Sequence, residues 1–340
     1  MDEHPQLSDQ QRPQFLGLAL SPIDRTDRHR VAQFFALFAV YIVSMVITQL
    51  LSAWLFPATP LMRPAESYPD GLIQVVLACL LAILCVSGLA LVIRFIGQRP
   101  GLLLGGPGRV REFALGLLAG SVLVSLCFGV LALIGVYHVD SVGWSPVMLT
   151  GLAVGIAPGF SEEFLMRATG MRLLDGLMGS VPALILTSAI FGGLHITNSG
   201  ATIWGVIAIA LEAGVLFGLL FIITRRLWMC AGVHTAWNAL QLGLFGGDVS
   251  GTGTSGGFFT SHMSGPEILS GGSMGMEGSI VTVLILCAVS AVLAWKAHQL
   301  GRFTRRQTRS ERKLIHGKVS MVQAPAQEVT PHAADTNHSH

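Results

Sequence analysis

Charge is what this sequence has least of. Asp, Glu, Lys and Arg make up 12% of the 340 residues, about half the ~25% of an ordinary soluble domain. Hydrophobic residues make up 51%, and the mean hydropathy is +0.62. With apolar runs of 18 residues or more, this composition belongs to membrane proteins. Cysteine is also sparse. Cys79, Cys85, Cys127, Cys230 and Cys287 all lie in apolar runs without paired spacing, so they read as small buried hydrophobes rather than a disulfide frame or a metal site. A cleavable signal peptide is not expected. Residues 1–30 are polar and of mixed charge, and the first apolar run is too long for the core of a signal. There is no internal repeat. The net charge of +2 matters less than its distribution, and no nucleic-acid partner is expected.

What is present is a series of apolar stretches near 31–56, 72–96, 113–136, 147–170, 181–199, 202–223, 227–246 and 279–297. Each is near the roughly 20 residues that a spanning helix needs. The sequence therefore predicts an all-α, polytopic membrane protein with about eight transmembrane helices. Arginine alternates between the connections. Arg12, Arg25, Arg28 and Arg30 precede the first span, and Arg94, Arg99, Arg109 and Arg111 follow the second. Arg167 and Arg172, then Arg225 and Arg226, and the tail from Lys296 through Arg302, Arg305 and Arg306 to Lys318 continue the pattern. The intervening loops hold almost none beyond Arg63. The positive-inside rule then puts both termini in the cytoplasm, with the plasma (inner) membrane as the expected location.

The chain divides accordingly: a cytoplasmic segment 1–30, three helices over 31–136, a core over 147–246, an extracytoplasmic Gly/Ser-rich loop 247–278, a last helix 279–297 and a tail 298–340. The loop has too little apolar content for a core and reads as flexible, with a lid over the site as the alternative. The basic part of the tail suits an anionic lipid surface. His332, His338 and His340 read as a disordered end, with metal binding as the alternative.

Polar side chains at bilayer depth are costly and mark function by default. In Ser161-Glu162-Glu163-Phe164-Leu165-Met166-Arg167, Glu163 and Arg167 are i,i+4 and share a face, while Glu162 lies about 100° round the helix. One carboxylate can pair with arginine while the other is left for general-base work. The plain alternative is a charged helix end, since Arg172 and Asp175 follow. Pro158 and Gly159 predict a kink that opens backbone groups nearby. His195 follows the pair Gly192-Gly193, which allows close backbone approach. His234 and Asn238 are again i,i+4. Singly, each of these is as readily a packing residue. Glu212, in the middle of a run, either orients a histidine, pairs with Arg167, or is a protonated carboxyl bonded to a neighbouring helix. Together they form a set for activating water and stabilising an oxyanion, and Glu and His also suit zinc. At 1.5 Å per residue, Glu162 and His234 fall about 10 Å from the cytoplasmic edge and His195 about 20 Å, which predicts a cavity open to the cytoplasm.

These residues resemble the three motifs of the CAAX protease and bacteriocin-processing family (CPBP, or Abi) of intramembrane proteases, which includes the type II CAAX prenyl endopeptidase. The family pattern EExxxR, FxxxH, HxxxN is matched by Glu162-Glu163-xxx-Arg167, Phe191-xxx-His195 and His234-xxx-Asn238. The resemblance covers roughly 147–246. It implies an endopeptidase in which Glu162, helped by His195, activates water, His234 and Asn238 bind the oxyanion, and Glu163 and Arg167 orient the site. Its substrate would be a membrane protein or a lipidated peptide. The family is labelled a metalloprotease. If zinc is bound, Glu162, His195 and His234 are the ligands. A metal-free site is favoured, because a His-Asn oxyanion face is a poor zinc set and the helical motif HExxH is absent. Two other readings stand beside the peptidase: a non-catalytic membrane scaffold that keeps the fold, and a proton-coupled transporter, against which the lack of repeat symmetry counts.

Overall fold

Inside a bilayer no water satisfies backbone N–H and C=O groups, so apolar runs fold as helices. The computed structural model describes residues 13–23, 29–55, 63–97, 103–105, 108–308 and 310–311. Arg12, Arg25, Arg28, Arg99 and the tail from Arg312 onward, with His332, His338 and His340, lie outside the described residues. A short ribbon, β1 (Gln14–Phe15) and β2 (Leu18–Ala19), precedes α1 (Arg30–Leu55), α2 (Tyr68–Phe95) and α3 (Arg109–Leu133). Strand β3 (Tyr137–Val142) leads to α4 (Val147–Glu163), which passes through a π-helical segment, Phe164–Met171, into α5 (Arg172–Met178). Then come α6 (Ser180–Leu194), α7 (Ile203–Ile209), a π turn at Ala210–Gly214, α8 (Val215–Thr224) and α9 (Trp228–Gly243). Strand β4 (Phe259–Met263), α10 (Glu267–Ser270), a 3-10 segment Gly272–Gly278 and α11 (Ile280–Gln299) complete residues 1–306 as one unit. Residues 307–340 form a second unit, in which Thr308 caps the backbone N–H of Glu311.

The protein is all-α and an integral, multi-pass membrane protein. Among the described residues, six helices are long and apolar enough to cross a bilayer: Arg30–Leu55, Tyr68–Phe95, Arg109–Leu133, Ser180–Thr197, Ile203–Thr224 and Gly272–Gln299. The two helices that carry the first and last motifs are shorter, 17 residues in α4 and 16 in α9. Every residue of α9 from Met229 to Asn238 is buried. A helix sheathed in protein need not be uniformly apolar, which is why it tolerates His234, Thr235 and Asn238.

Helix packing in lipid depends on close contact rather than on apolar burial. Gly151, Gly155 and Gly159 form an i, i+4, i+8 ridge on α4, and a Cβ at any of them would collide with α9, at Gly243 or Thr235. Gly116 and Gly120 on α3 meet α9 from the other side, at Met229, Gly232 and Val233. Helix α9 is thus gripped between two glycine ridges. All five cysteines are free thiols.

The two ends of the bundle differ. At one end Arg225 pairs with Asp175 at 2.7 Å and donates to the Arg302 carbonyl, Ser180 donates to Asp175, and Arg226 meets Glu112 at 2.6 Å. Burial raises the pKa of the Asp175 carboxyl, but Arg225 and the Thr304 and Ser180 hydroxyls outweigh it and hold the group below its usual range. Arg172 donates to Gln33 and to the Ala168 carbonyl, so Arg172 and Asp175 are more than a solvated helix end. At the opposite end β3 pairs antiparallel with β4. There the segment expected to be flexible is built into the fold. Asn198 donates to the Ser250 carbonyl at 2.7 Å, Gly200 donates to the Gly251 carbonyl, Ser273 donates to the Gly200 carbonyl, and Trp204 donates to the Gly278 carbonyl. Hydrogen bonds to backbone carbonyls, together with Val249, Met274 and Met276 buried in apolar clusters, order this glycine-rich stretch.

Candidate active site

The two adjacent glutamates face different surroundings. The Glu163 side chain is 0% exposed. It accepts from Arg167 at 3.2 Å and lies 2.9 Å from Nδ1 of His234. The Glu162 side chain is 31% exposed, lines a cavity, and has its Oε2 4.0 Å from Nε2 of His234. One carboxylate is therefore structural and the other is open to a reactant. Glu163 Oε1, which accepts from Arg167, also faces Nδ1 of His234, and Nε2 is the atom turned toward Glu162.

Arg167 itself is 2% exposed. Its second guanidinium nitrogen donates to the carbonyls of Ala213 (2.9 Å) and Gly214 (3.1 Å) in the π turn before α8. Its plane lies over the rings of Phe191 (4.8 Å) and Phe217 (5.3 Å), a cation–π arrangement that offsets part of the desolvation. Phe217 also stacks on His234 at 5.0 Å. Phe191, the Phe of the second motif, also lies beside His234, with ring centroids 6.2 Å apart.

His195 caps the end of α6. Its Nδ1 lies 2.8 Å from the Phe191 carbonyl, which can only accept, so Nδ1 carries the proton and Nε2 is the basic nitrogen. Of the two preceding glycines, only Gly192 is at a close approach, to Val206 and Ala210, while Gly193 faces open space. Helix α4 runs on through Pro158. Proline lacks the N–H that would bond the carbonyl four residues back, that of Val154, and Asn238 Nδ2 donates to this carbonyl at 3.4 Å. The orphaned group foreseen at Pro158 is therefore the partner of the third motif.

Glu162, His195, His234 and Asn238 all line one cavity of about 300 Å³. So does Glu277, which sequence reasoning missed. Glu277 comes from the loop before α11, is buried, and accepts from the Trp237 indole N–H at 2.9 Å and from the backbone N–H of Ser250. It shares the cavity wall with His195. No local pattern marks it; the only signal is that it is the one charged residue between Glu267 and Lys296. Glu212 is not brought to the cavity. It is buried, its Oε1 has no hydrogen-bond partner, and the partners of Arg167 are Glu163 and backbone carbonyls.

The cavity does not open where depth counting placed it. Its far wall is formed by Asn198, Val249, Ser250 and Thr252, residues of the loop end. The reason is that α4 continues helically to Met178, so Glu162 lies about 24 Å from the basic end at 1.5 Å per residue.

Among the described residues, no three His, Cys, Asp or Glu side chains converge closely enough to hold a metal ion. In both histidines Nδ1 is held, by Glu163 in His234 and by a carbonyl in His195, and Nε2 is left open, which suits a metal ligand as well as a base. As arranged, Glu162, His195 and His234 do not form a zinc set.

Residues 143–240 match a family model described as type II CAAX prenyl endopeptidase Rce1-like. That stretch contains all three motifs, and the resemblance drawn from them is confirmed over it. No curated protein and no solved structure matches the chain.

Proposed function

We propose that this protein is a CAAX-type intramembrane endopeptidase that hydrolyses a peptide bond of a membrane-associated or lipidated substrate with a water activated by Glu162 and His195, without a metal. The observation that carries this reading is the splitting of the glutamate pair: Glu163 is locked under the site by Arg167 and His234, and Glu162 is free at the cavity wall.

In this scheme the Glu162 carboxylate takes a proton from water as the water oxygen bonds to the carbonyl carbon. His195, its Nδ1 proton fixed on Phe191, orients that water through Nε2. The C=O π pair moves onto oxygen, where Nε2 of His234 in its protonated form and the Asn238 amide donate to it. Glu162 then returns the proton to the leaving nitrogen as the C–N bond breaks. Donors preplaced in a water-poor cavity need no reorganisation as charge develops.

Glu162→Ala should abolish cleavage of a peptide reporter by the purified protein, and full activity in that variant would sink the assignment. Elemental analysis of detergent-purified protein addresses the metal. Stoichiometric zinc that is lost in His195→Ala would overturn the metal-free mechanism. The termini are proposed to be cytoplasmic and the protein to reside in the plasma membrane, from the arginine distribution alone.

A further inference from the structure

We infer that the substrate reaches this site from the extracytoplasmic side, so that the bond cut belongs to an exported or outward-facing peptide segment. The inference rests on the peptidase reading for the cut itself, but the route follows from the cavity and the charge distribution.

The charged residues sort to the two ends of the bundle. Arg30, Arg94, Arg109, Arg111, Arg172, Arg225, Arg226, Arg302 and Arg305 all belong to the end where α1, α3 and α6 begin. The opposite end gathers the segment before α2, strand β3, the α6–α7 connection and the loop between α9 and α11. There Arg63 is the one Lys or Arg against the carboxylates of Glu66, Asp70, Asp140, Asp248, Glu267 and Glu277. Short connections rich in arginine stay in the cytoplasm, so the loop end faces outward.

The cavity reaches that end and not the basic one. Its outer wall is Asn198, Ser250 and Thr252 from two connections of the loop end. Its floor is closed by Arg167 on Glu163, with Phe164, Met171 and Phe217 buried beneath and around them. Beyond that floor lies the Asp175–Arg225–Arg302 lattice. A peptide from the cytoplasm would have to break these buried ion pairs, whereas one from the outside has only the neutral Asn198–Ser250 hydrogen bond between two connections to part before it reaches an existing cavity. The ionisable groups on the cavity wall are carboxylates, histidines and the Tyr41 phenol, with no lysine or arginine. That lining favours a neutral or basic segment over an acidic one.

Cysteine accessibility tests the route without depending on catalysis. Thr252→Cys at the cavity rim, Leu194→Cys on its wall and Arg109→Cys at the basic end are treated with a membrane-impermeant maleimide in intact cells, with the wild type as background for the native thiols. Labelling of the first two in intact cells, and of Arg109→Cys only after permeabilisation, is the expected result. Labelling of Thr252→Cys and Leu194→Cys only after permeabilisation overturns the proposal. A second arm places one reporter peptide on either side of a single membrane anchor. Cleavage confined to the outward-facing reporter and lost in Glu162→Ala supports the proposal, and cleavage confined to the cytoplasmic reporter refutes it. Outward labelling with no cleavage of either reporter upholds the route and counts against the peptidase reading instead.

Discussion

The pairing of Asn238 with the carbonyl that Pro158 orphans gives the sharpest test of the site. Proline at 158 deprives the Val154 carbonyl of its helical donor, and the Asn238 amide supplies one at 3.4 Å. That is a long bond, worth toward the lower end of the roughly 0.5–1.5 kcal/mol of a net hydrogen bond, but removing the donor strands a buried acceptor at about 1–3 kcal/mol. Asn238→Ala should therefore destabilise the protein by about 1–3 kcal/mol, read as a lower thermal midpoint in detergent. In Pro158→Ala the backbone N–H of residue 158 can reach the Val154 carbonyl. Asn238→Ala made on that background should then cost less, with a coupling energy of at least about 0.5 kcal/mol, the threshold for residues sharing a partner. Activity should behave differently. If Asn238 also binds the oxyanion, Pro158→Ala restores stability to the double variant while turnover stays down by about 10²–10³, as for loss of one oxyanion donor. Additive stabilities would refute the link between Pro158 and Asn238. Recovery of turnover along with stability would refute the oxyanion role and leave Asn238 as a helix clamp.

A Cβ at Gly155 would overlap the Thr235 carbonyl, so Gly155→Leu should force α9 away from α4 and remove activity, whereas Gly193→Ala, which meets nothing within 4 Å, should leave thermal midpoint and turnover unchanged. Glu277→Ala strips an acceptor from two N–H groups. It should destabilise by about 1–3 kcal/mol for each one left unsatisfied and make residues 246–278 sensitive to limited proteolysis; unchanged protease resistance would refute its role as the anchor of the loop. Asp175 has a lowered pKa in the folded state, so its contribution is present above the unfolded value of about 3.9 and is lost as pH falls through the lower folded value. Asp175→Asn should accordingly lower the thermal midpoint at neutral pH, and the gap to wild type should narrow below about pH 4; a gap that widened on acidification would refute the ion-pair account. Glu212→Gln keeps the shape of a buried side chain that lies off the cavity and should leave turnover within about threefold, the scatter expected away from a reacting centre.

The helical class and the three motifs were readable because each rests on local spacing. Apolar length gives helices, and i,i+4 pairs such as Glu163–Arg167 and His234–Asn238 fix a shared face whatever the rest of the chain does. The glycine ridge Gly151, Gly155, Gly159 was written in the same period and is as local as the motifs, but its partner surface on α9 is not, so spacing alone shows a ridge without showing what it grips. Glu277 was out of reach for a different reason. It meets Trp237 across 40 residues, through a segment with neither helical nor strand periodicity, and its burial depends on β3 pairing with β4 and on carbonyl-to-amide bonds among glycines. Polarity made that segment look flexible, because composition measures the apolar area available and says nothing of backbone hydrogen bonds that close on one another. The direction of the cavity failed on geometry. Depth was counted from a helix end assumed near residue 170, and the π-helical segment carries the same helix on to Met178.

The two π segments bear on why a charged pair survives at this depth. An unpaired charge in the bilayer interior costs several kcal/mol, and a pair alone does not satisfy every donor of a guanidinium. The first π segment contains Arg167 and begins directly after Glu163, and the second contains or adjoins the two carbonyls that Arg167 uses. Carbonyl oxygens have a second lone pair, and a widened turn presents it sideways to a neighbouring helix where a regular α-turn points it along the axis. The arginine therefore finds one carboxylate, two carbonyls and two aromatic faces, so that Oε1 of Glu163 is shared between Arg167 and His234 rather than claimed by the arginine alone. On this argument the π turns are what allow EExxxR to work inside a membrane: they convert backbone into ligands for the arginine, so that the second glutamate can serve the histidine and the first can serve the substrate.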